Sequence, residues 1–136
     1  MEGGTAPVKP VYQTKFGPKE GNCLAACVAS IFHMTIEAVP DFPVDSTWWE
    51  AFEAWCRTKG FIPLRVEMAD HTTIDHTGIS IVSGASPRGE GYHAVVAVGG
   101  KMVHDPHPDG TGIAGDPIDY IFFTCDPGNT TTEHSQ

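Results

Sequence analysis

The spacing of apolar residues changes at Gly60, and this change constrains the fold more than any other feature of the 136-residue chain. Before Gly60, apolar side chains recur at the three- to four-residue spacing of an amphipathic helix. After it, they stand in short runs bounded by turn residues, which is typical of β-strands. Helices followed by consecutive strands predict an α+β domain in which a helix packs on one face of a small antiparallel sheet.

Two helices are predicted before Gly60. The first begins at Asn22, a residue type that favours helix N-caps, and ends at about His33. The second begins at Thr47, which forms a capping-box pattern with Glu50, and ends before Gly60 as the C′ residue. A short turn over residues 35–39 separates them and stops at a proline. Each helix has an apolar stripe: Leu24, Cys27, Val28 and Ile31 in the first; Trp48, Phe52, Trp55 and Cys56 in the second.

Strands are predicted at residues 61–67, 78–83, 92–98, 101–104 and 120–124. The sequence contains no repeat and no linker, so a single domain is expected over residues 11–125. The ends of the chain, residues 1–10 and 126–136, lack periodicity and are predicted to be flexible.

Composition excludes several kinds of partner. The formal charge is −9, from 17 acidic and 8 basic residues, and the basic residues form no run. Nucleic acids and anionic membranes bind through clusters of Lys and Arg, so neither is an expected partner. The chain shows no signal-peptide pattern and no apolar run long enough to span a membrane, which favours a cytoplasmic protein with four reduced cysteines. Its oligomeric state stays open.

Cys23 is the candidate nucleophile because it lies in the first turn of the first predicted helix. The unpaired N–H groups at a helix start lower the pKa of a thiol, and the thiolate is the reactive form. A lone cysteine is more often a small buried apolar residue. That interpretation is kept for Cys27, Cys56 and Cys125, each of which lies in an apolar stripe or beside a strand.

His93 and Asp105 are the candidate base and its orienting carboxylate, on two strands joined by a glycine turn. A three-residue loop over residues 98–100 pairs His93 directly with Asp105, at a Cβ separation of about 5 Å. A two-residue loop at Gly99-Gly100 turns Asp105 to the other face and gives His104 the face of His93. The set therefore requires the longer loop or an equivalent β-bulge.

Three further residues complete the candidate site. Gln13 is the preferred side-chain donor to an oxyanion, alongside the backbone N–H of Cys23, with Asn22 as the reserve. Arg88, in the loop before His93, is a candidate partner for a substrate carboxylate, although a solvated loop arginine is an equal alternative. Trp48 is a candidate for stacking on substrate, against a more common role in the core.

The order Gln13, Cys23, His93, Asp105 resembles the papain-like cysteine peptidase fold, in particular its compact C39-like bacterial branch. The segments 21–27 (GNCLAAC), 86–89 (SPRG), 93–96 (HAVV) and 103–108 (VHDPHP) also resemble a set of small bacterial and phage proteins. Gln13 stands farther from the cysteine than is usual in those peptidases, and Leu24-Ala25 replaces their usual Gly-Pro.

This resemblance implies a papain-like domain and a thiol-dependent hydrolase that cleaves an amide bond of a peptide or protein without a cofactor. Deamidation and acyl transfer use the same thioester intermediate and remain alternatives, as does a non-catalytic binding module of the same fold. A metal site is a further alternative, because side chains of ligand type cluster in two segments: His71, Asp75 and His76; His104, Asp105, His107 and Asp109.

Overall fold

The structure is a computed structural model that describes residues 8–17, 20–43, 45–68 and 78–127. These residues form two α-helices, a short 3₁₀ turn at Ile36–Ala38 and a five-stranded antiparallel sheet. The α+β class predicted from the sequence is confirmed. The helices are α1 (Cys23–Phe32) and α2 (Trp48–Thr58), and the strands are β1 (Phe61–Glu67), β2 (Ile79–Ala85), β3 (Tyr92–Val98), β4 (Lys101–His104) and β5 (Ala114–Cys125).

The strands lie in the order β1-β5-β2-β3-β4, so the last strand of the chain occupies the position between β1 and β2. Both helices pack on one face of the sheet, α1 mainly over β3 and α2 over β1. Val28, Phe52 and Ile121 are fully buried between these layers. A smaller apolar cluster on the opposite face contains Val82, Val95, Ala97 and Tyr120. None of the described helices is long and apolar enough to cross a membrane.

Most element boundaries match the sequence-based expectations, and three details differ. The capping box of α2 is wrong, since the Thr47 backbone N–H and hydroxyl both bond Oδ1 of Asp45 instead of Glu50. Strand β5 begins six residues before the predicted 120–124 segment, at Ala114. Val8, within the predicted flexible N-terminus, is buried in the core. Within the two predicted flexible ends, residues 1–7 and 128–136 lie outside the described residues.

The four cysteines are all free thiols. Cys27 and Cys56 are fully buried, as expected for small apolar residues, whereas Cys125 is exposed at the end of β5. The expectation of a buried Cys125 is therefore wrong: it pairs in register with Phe61, the first residue of β1, at the rim of the sheet. Burial raises the pKa of Cys56 to about 12 and that of Cys27 well above the ordinary thiol value, so both are protonated at neutral pH.

Candidate active site

The register of the β3–β4 hairpin determines whether the side chains of His93 and Asp105 lie on the same face of the sheet. Its turn contains two residues, since Val98 pairs with Lys101, and the predicted three-residue loop is therefore wrong. This register alone would direct Asp105 to the other face of the sheet. A β-bulge follows in which Val103 is the extra residue of β4, and it restores the shared face.

His93 and Asp105 are in contact and buried. The distance from Nε2 of His93 to Oδ1 of Asp105 is 2.7 Å, and the two side chains are 3% and 2% exposed. The same carboxylate accepts backbone N–H groups from His107 at 2.9 Å and from Gly112 at 2.7 Å. Three donors therefore fix Asp105 behind the imidazole.

The protonation state of this pair follows from the bonds to the carboxylate. Burial raises the pKa of Asp105, but the hydrogen bonds from His93 and from the two backbone N–H groups outweigh it and bring the pKa below its ordinary value. An ionised carboxylate only accepts, so Nε2 of His93 must carry the proton. Burial also lowers the pKa of His93, despite the opposing effect of Asp105. The neutral ring therefore keeps an unprotonated Nδ1.

Cys23 lies half-buried at the first residue of α1 and lines the same cavity as His93. Strand β4 pairs only with Val96, Ala97 and Val98, so the beginning of β3 has an open side. The backbone N–H of Ala94, in this open part of β3, interacts with the Cys23 sulfur. The thiol is thus held against the residue that follows His93.

The thiol is protonated at rest. Burial raises the pKa of Cys23, and this effect exceeds the lowering by the backbone N–H groups of Ala94, Leu24 and Cys23 itself. The helix start does lower the pKa, as expected from the sequence, but the net direction is opposite to the expected one. A neutral thiol and a neutral imidazole therefore face one cavity, and proton transfer between them must accompany the attack on substrate.

Gln13 is 7% exposed and lines the cavity. Its Nε2 donates to the backbone oxygen of Lys15 at 2.9 Å, while Oε1 is buried without a hydrogen-bond partner in the described part of the chain. Asn22, the reserve donor, also lines the cavity. Its Oδ1 accepts the N–H groups of Thr14 and Lys15, both at 3.0 Å, and its Nδ2 donates to the Thr14 hydroxyl. Asn22 therefore fastens the segment that carries Gln13 to the start of α1.

Arg88 and Trp48 both line the cavity. Nη1 of Arg88 is 3.1 and 3.0 Å from the two carboxylate oxygens of Asp109 and 3.0 Å from the Thr111 hydroxyl. Nη1 of Arg88 is therefore already paired, and the role of this residue as a partner for a substrate carboxylate stays a prediction. Trp48 is half-buried against the core, and the guanidinium of Arg65 lies over its ring at 5.1 Å.

Sequence reasoning considered His107 only as a metal ligand, and it did not identify two further cavity residues, Arg65 and Asp119. The His107 ring lies 6.3 Å from the His93 ring in a T-shaped arrangement. Arg65 and Asp119 form an ion pair at 2.8 Å across β1 and β5. The predicted strand at 61–67 contained Arg65, but Asp119 immediately preceded the predicted last strand, so their pairing was not apparent.

The alternative of a metal centre finds no geometric support in residues 78–127. His104 Nε2 is 2.7 Å from the backbone oxygen of Val11, and Asp105 is bound to His93. No group of three potential ligands converges among the described residues. His71, Asp75 and His76 lie outside them.

The cavity has a volume of about 980 Å³ and contains Gln13, Cys23 and His93 on its wall, with Asp105 behind His93. The chain matches no model of a known protein family, no curated protein and no solved structure. The site must therefore be interpreted from its own geometry.

Proposed function

We propose that this protein is a thiol-dependent hydrolase with a papain-like active site, which cleaves an amide bond in a peptide or protein. The observation that carries the proposal is the buried 2.7 Å bond from His93 Nε2 to Asp105. It leaves Nδ1 as the basic ring nitrogen in a cavity that also contains the Cys23 thiol. A nucleophile, a base and an orienting carboxylate are the groups that this chemistry requires.

In the proposed first step, the Cys23 sulfur adds to the substrate carbonyl carbon while Nδ1 of His93 takes the thiol proton. Asp105 stabilises the imidazolium that forms. The ring then gives this proton to the leaving nitrogen as the C–N bond breaks, and a thioester remains on Cys23. In the second step, Nδ1 deprotonates a water that attacks the thioester. The C–S bond breaks, the sulfur recovers the proton, and a carboxylic acid leaves.

Two donors are available for the oxyanion of each tetrahedral intermediate. The backbone N–H of Cys23 is at the start of α1, where the first N–H groups have no intrahelical acceptor. Gln13 Nε2 has two hydrogens, and only one of them is used by the Lys15 oxygen. Removal of one such donor lowers kcat by about 10²–10³-fold in well-studied hydrolases, so Gln13→Ala is expected to lower turnover while leaving thiol alkylation intact.

The direct test is to detect the thioester. The protein is mixed with a pool of internally quenched peptides, quenched in acid and digested, and Cys23 is examined by mass spectrometry for an acyl adduct that hydroxylamine releases. Cys23→Ala should abolish both peptide cleavage and the adduct. Cys125→Ala is the matched control, because it removes an exposed thiol that pairs with β1 and does not line the cavity, and it should change neither. Cleavage that survives in Cys23→Ala would refute the proposal.

A further inference from the structure

Residues 105–112, called the Asp105 loop below, connect β4 to β5 and turn back on their own carboxylate. The loop belongs to neither strand, so the sheet ladder does not set its shape. Two of its backbone N–H groups donate to Asp105: that of His107 to Oδ1 at 2.9 Å, and that of Gly112 to Oδ2 at 2.7 Å. The carboxylate is therefore held as firmly as the turn between His107 and Gly112 is closed.

The part of the loop between these two donors is bonded to Arg88. Nη1 of Arg88 is 3.1 and 3.0 Å from the two carboxylate oxygens of Asp109 and 3.0 Å from the Thr111 hydroxyl. Oδ1 of Asp109 also accepts the backbone N–H and the hydroxyl of Thr111, both at 3.0 Å. A single guanidinium nitrogen thus holds two residues of the turn that closes on Asp105.

Arg88 also belongs to the hairpin that carries His93. It lies in the connection between β2 and β3, and a 3.0 Å bond from the backbone N–H of Ser86 to the Gly91 oxygen closes the base of this connection. The short tip that remains limits how far Arg88 moves relative to the start of β3. The contact with Asp109 therefore joins the hairpin of His93 to the loop of its carboxylate partner.

The contact between Arg88 and Asp109 is weak on the scale of the whole fold. The two side chains are 31% and 35% exposed, and ion pairs of this kind contribute little to global stability. The opening of one loop has a much smaller free energy than global unfolding, so the same contribution is a large part of what keeps a loop closed. The contact therefore affects the geometry around Asp105 more than the stability of the fold.

We propose that Arg88 is a positioning residue for the base. By holding Asp109 and Thr111, it keeps the Asp105 loop closed on the carboxylate, which in turn keeps the proton of His93 on Nε2. The catalytic consequence rests on the proposed hydrolase function, in which the unprotonated Nδ1 takes the thiol proton. Arg88 acts through Asp105, so this role requires no contact with the substrate.

The test measures hydrogen exchange of three protons by NMR on the full chain: the backbone N–H groups of His107 and Gly112, and the Nε2 proton of His93. All three bond Asp105, so they should become accessible together when the loop opens. Arg88→Gln should accelerate their exchange about three- to fivefold, the effect of an exposed ion pair on a local opening. Thr111→Val removes the hydroxyl without a change of charge and should accelerate them about twofold.

Arg57→Gln is the matched control. Arg57 lies on α2, outside the cavity lining, and forms ion pairs with Asp126 and Glu53 at 3.5 and 3.8 Å. Its removal should leave the exchange of the three protons unchanged, because local opening of the Asp105 loop breaks none of its contacts. In peptide cleavage, Arg88→Gln should lower kcat with KM unchanged, whereas loss of a substrate contact would raise KM.

Unchanged exchange of the His93 Nε2 proton in both Arg88→Gln and Thr111→Val would overturn the inference, even if the two backbone amides exchanged faster. Such a result would confine the effect of Arg88 to the loop. A raised KM with unchanged kcat in Arg88→Gln would also overturn it. Failure of the hydrolase proposal would appear differently, as an absence of cleavage by the wild-type protein, and the exchange measurements would then still decide the inference.

Discussion

Asp105→Asn tests the arrangement behind His93 because it keeps the size of the side chain and exchanges one acceptor for a donor. The carboxylate receives three hydrogens, from His93 Nε2 and from the backbone N–H groups of His107 and Gly112. An asparagine must direct its NH₂ group at one of these donors. If it faces Gly112, a buried backbone bond is lost. If it faces His93, the ring must move its proton to Nδ1, which removes the basic nitrogen that the proposed mechanism requires.

The expected loss of stability is about 2–4 kcal/mol, since each hydrogen bond to a buried charged acceptor contributes about 1.5–3 kcal/mol. Urea denaturation monitored by tryptophan fluorescence gives this value, and ¹⁵N NMR of the imidazole reports which ring nitrogen is protonated. Asp109→Asn is the matched control in the same loop. Asp109 is exposed, so its bonds to Arg88 and Thr111 should contribute much less to stability than those of Asp105. A change of less than about 0.5 kcal/mol in Asp105→Asn, with the tautomer unchanged, would refute this reasoning.

Three other outcomes are expected. Iodoacetamide should alkylate Cys23 about tenfold faster for each pH unit from 6 to 8, because its raised pKa leaves a neutral thiol; a pH-independent rate in mass spectrometry would show a preformed thiolate. The free energy of unfolding should fall as pH drops below about 6.5, because His93, with its lowered folded-state pKa, takes up a proton in the unfolded chain first; His93→Gln should flatten this part of a urea-midpoint series. Gly84→Ala should cost about 1–3 kcal/mol in the same assay, because the new Cβ would lie 2.8 Å from Ile113 Cδ1, and an unchanged midpoint would contradict it.

The helices and strands were predictable because their periodicity is a local property of the sequence. The bounds of β1, β3 and β4 match the predicted ranges, and Cys23 lies where a helix start was expected. The length of β5 was not predictable, since Gly115 and Pro117 interrupt the apolar alternation at its beginning. Asp119 was missed for the same reason, since it lies in the part of β5 whose sequence is typical of a turn.

The electrostatics of the site required the packed structure. The sequence shows that Cys23 begins a helix, which lowers a thiol pKa, but not how much of the protein covers the sulfur. The effect of burial is the larger one here, so the pKa of Cys23 is raised instead of lowered. The partner of Arg88 could not be predicted from the sequence either, because Asp109 lies 21 residues away in a loop without periodicity.

The bulge at Val103 makes the site depend on chain length more than on side-chain identity. Val103 is 52% exposed, so many residue types can occupy its position. The additional residue itself is required, because it compensates for the two-residue turn at Gly99-Gly100. It thereby sets the face of the sheet on which the Asp105 side chain lies. Substitutions at this hairpin should therefore be tolerated. Deletion of one residue should not be tolerated unless a second change in length returns Asp105 to the face of His93.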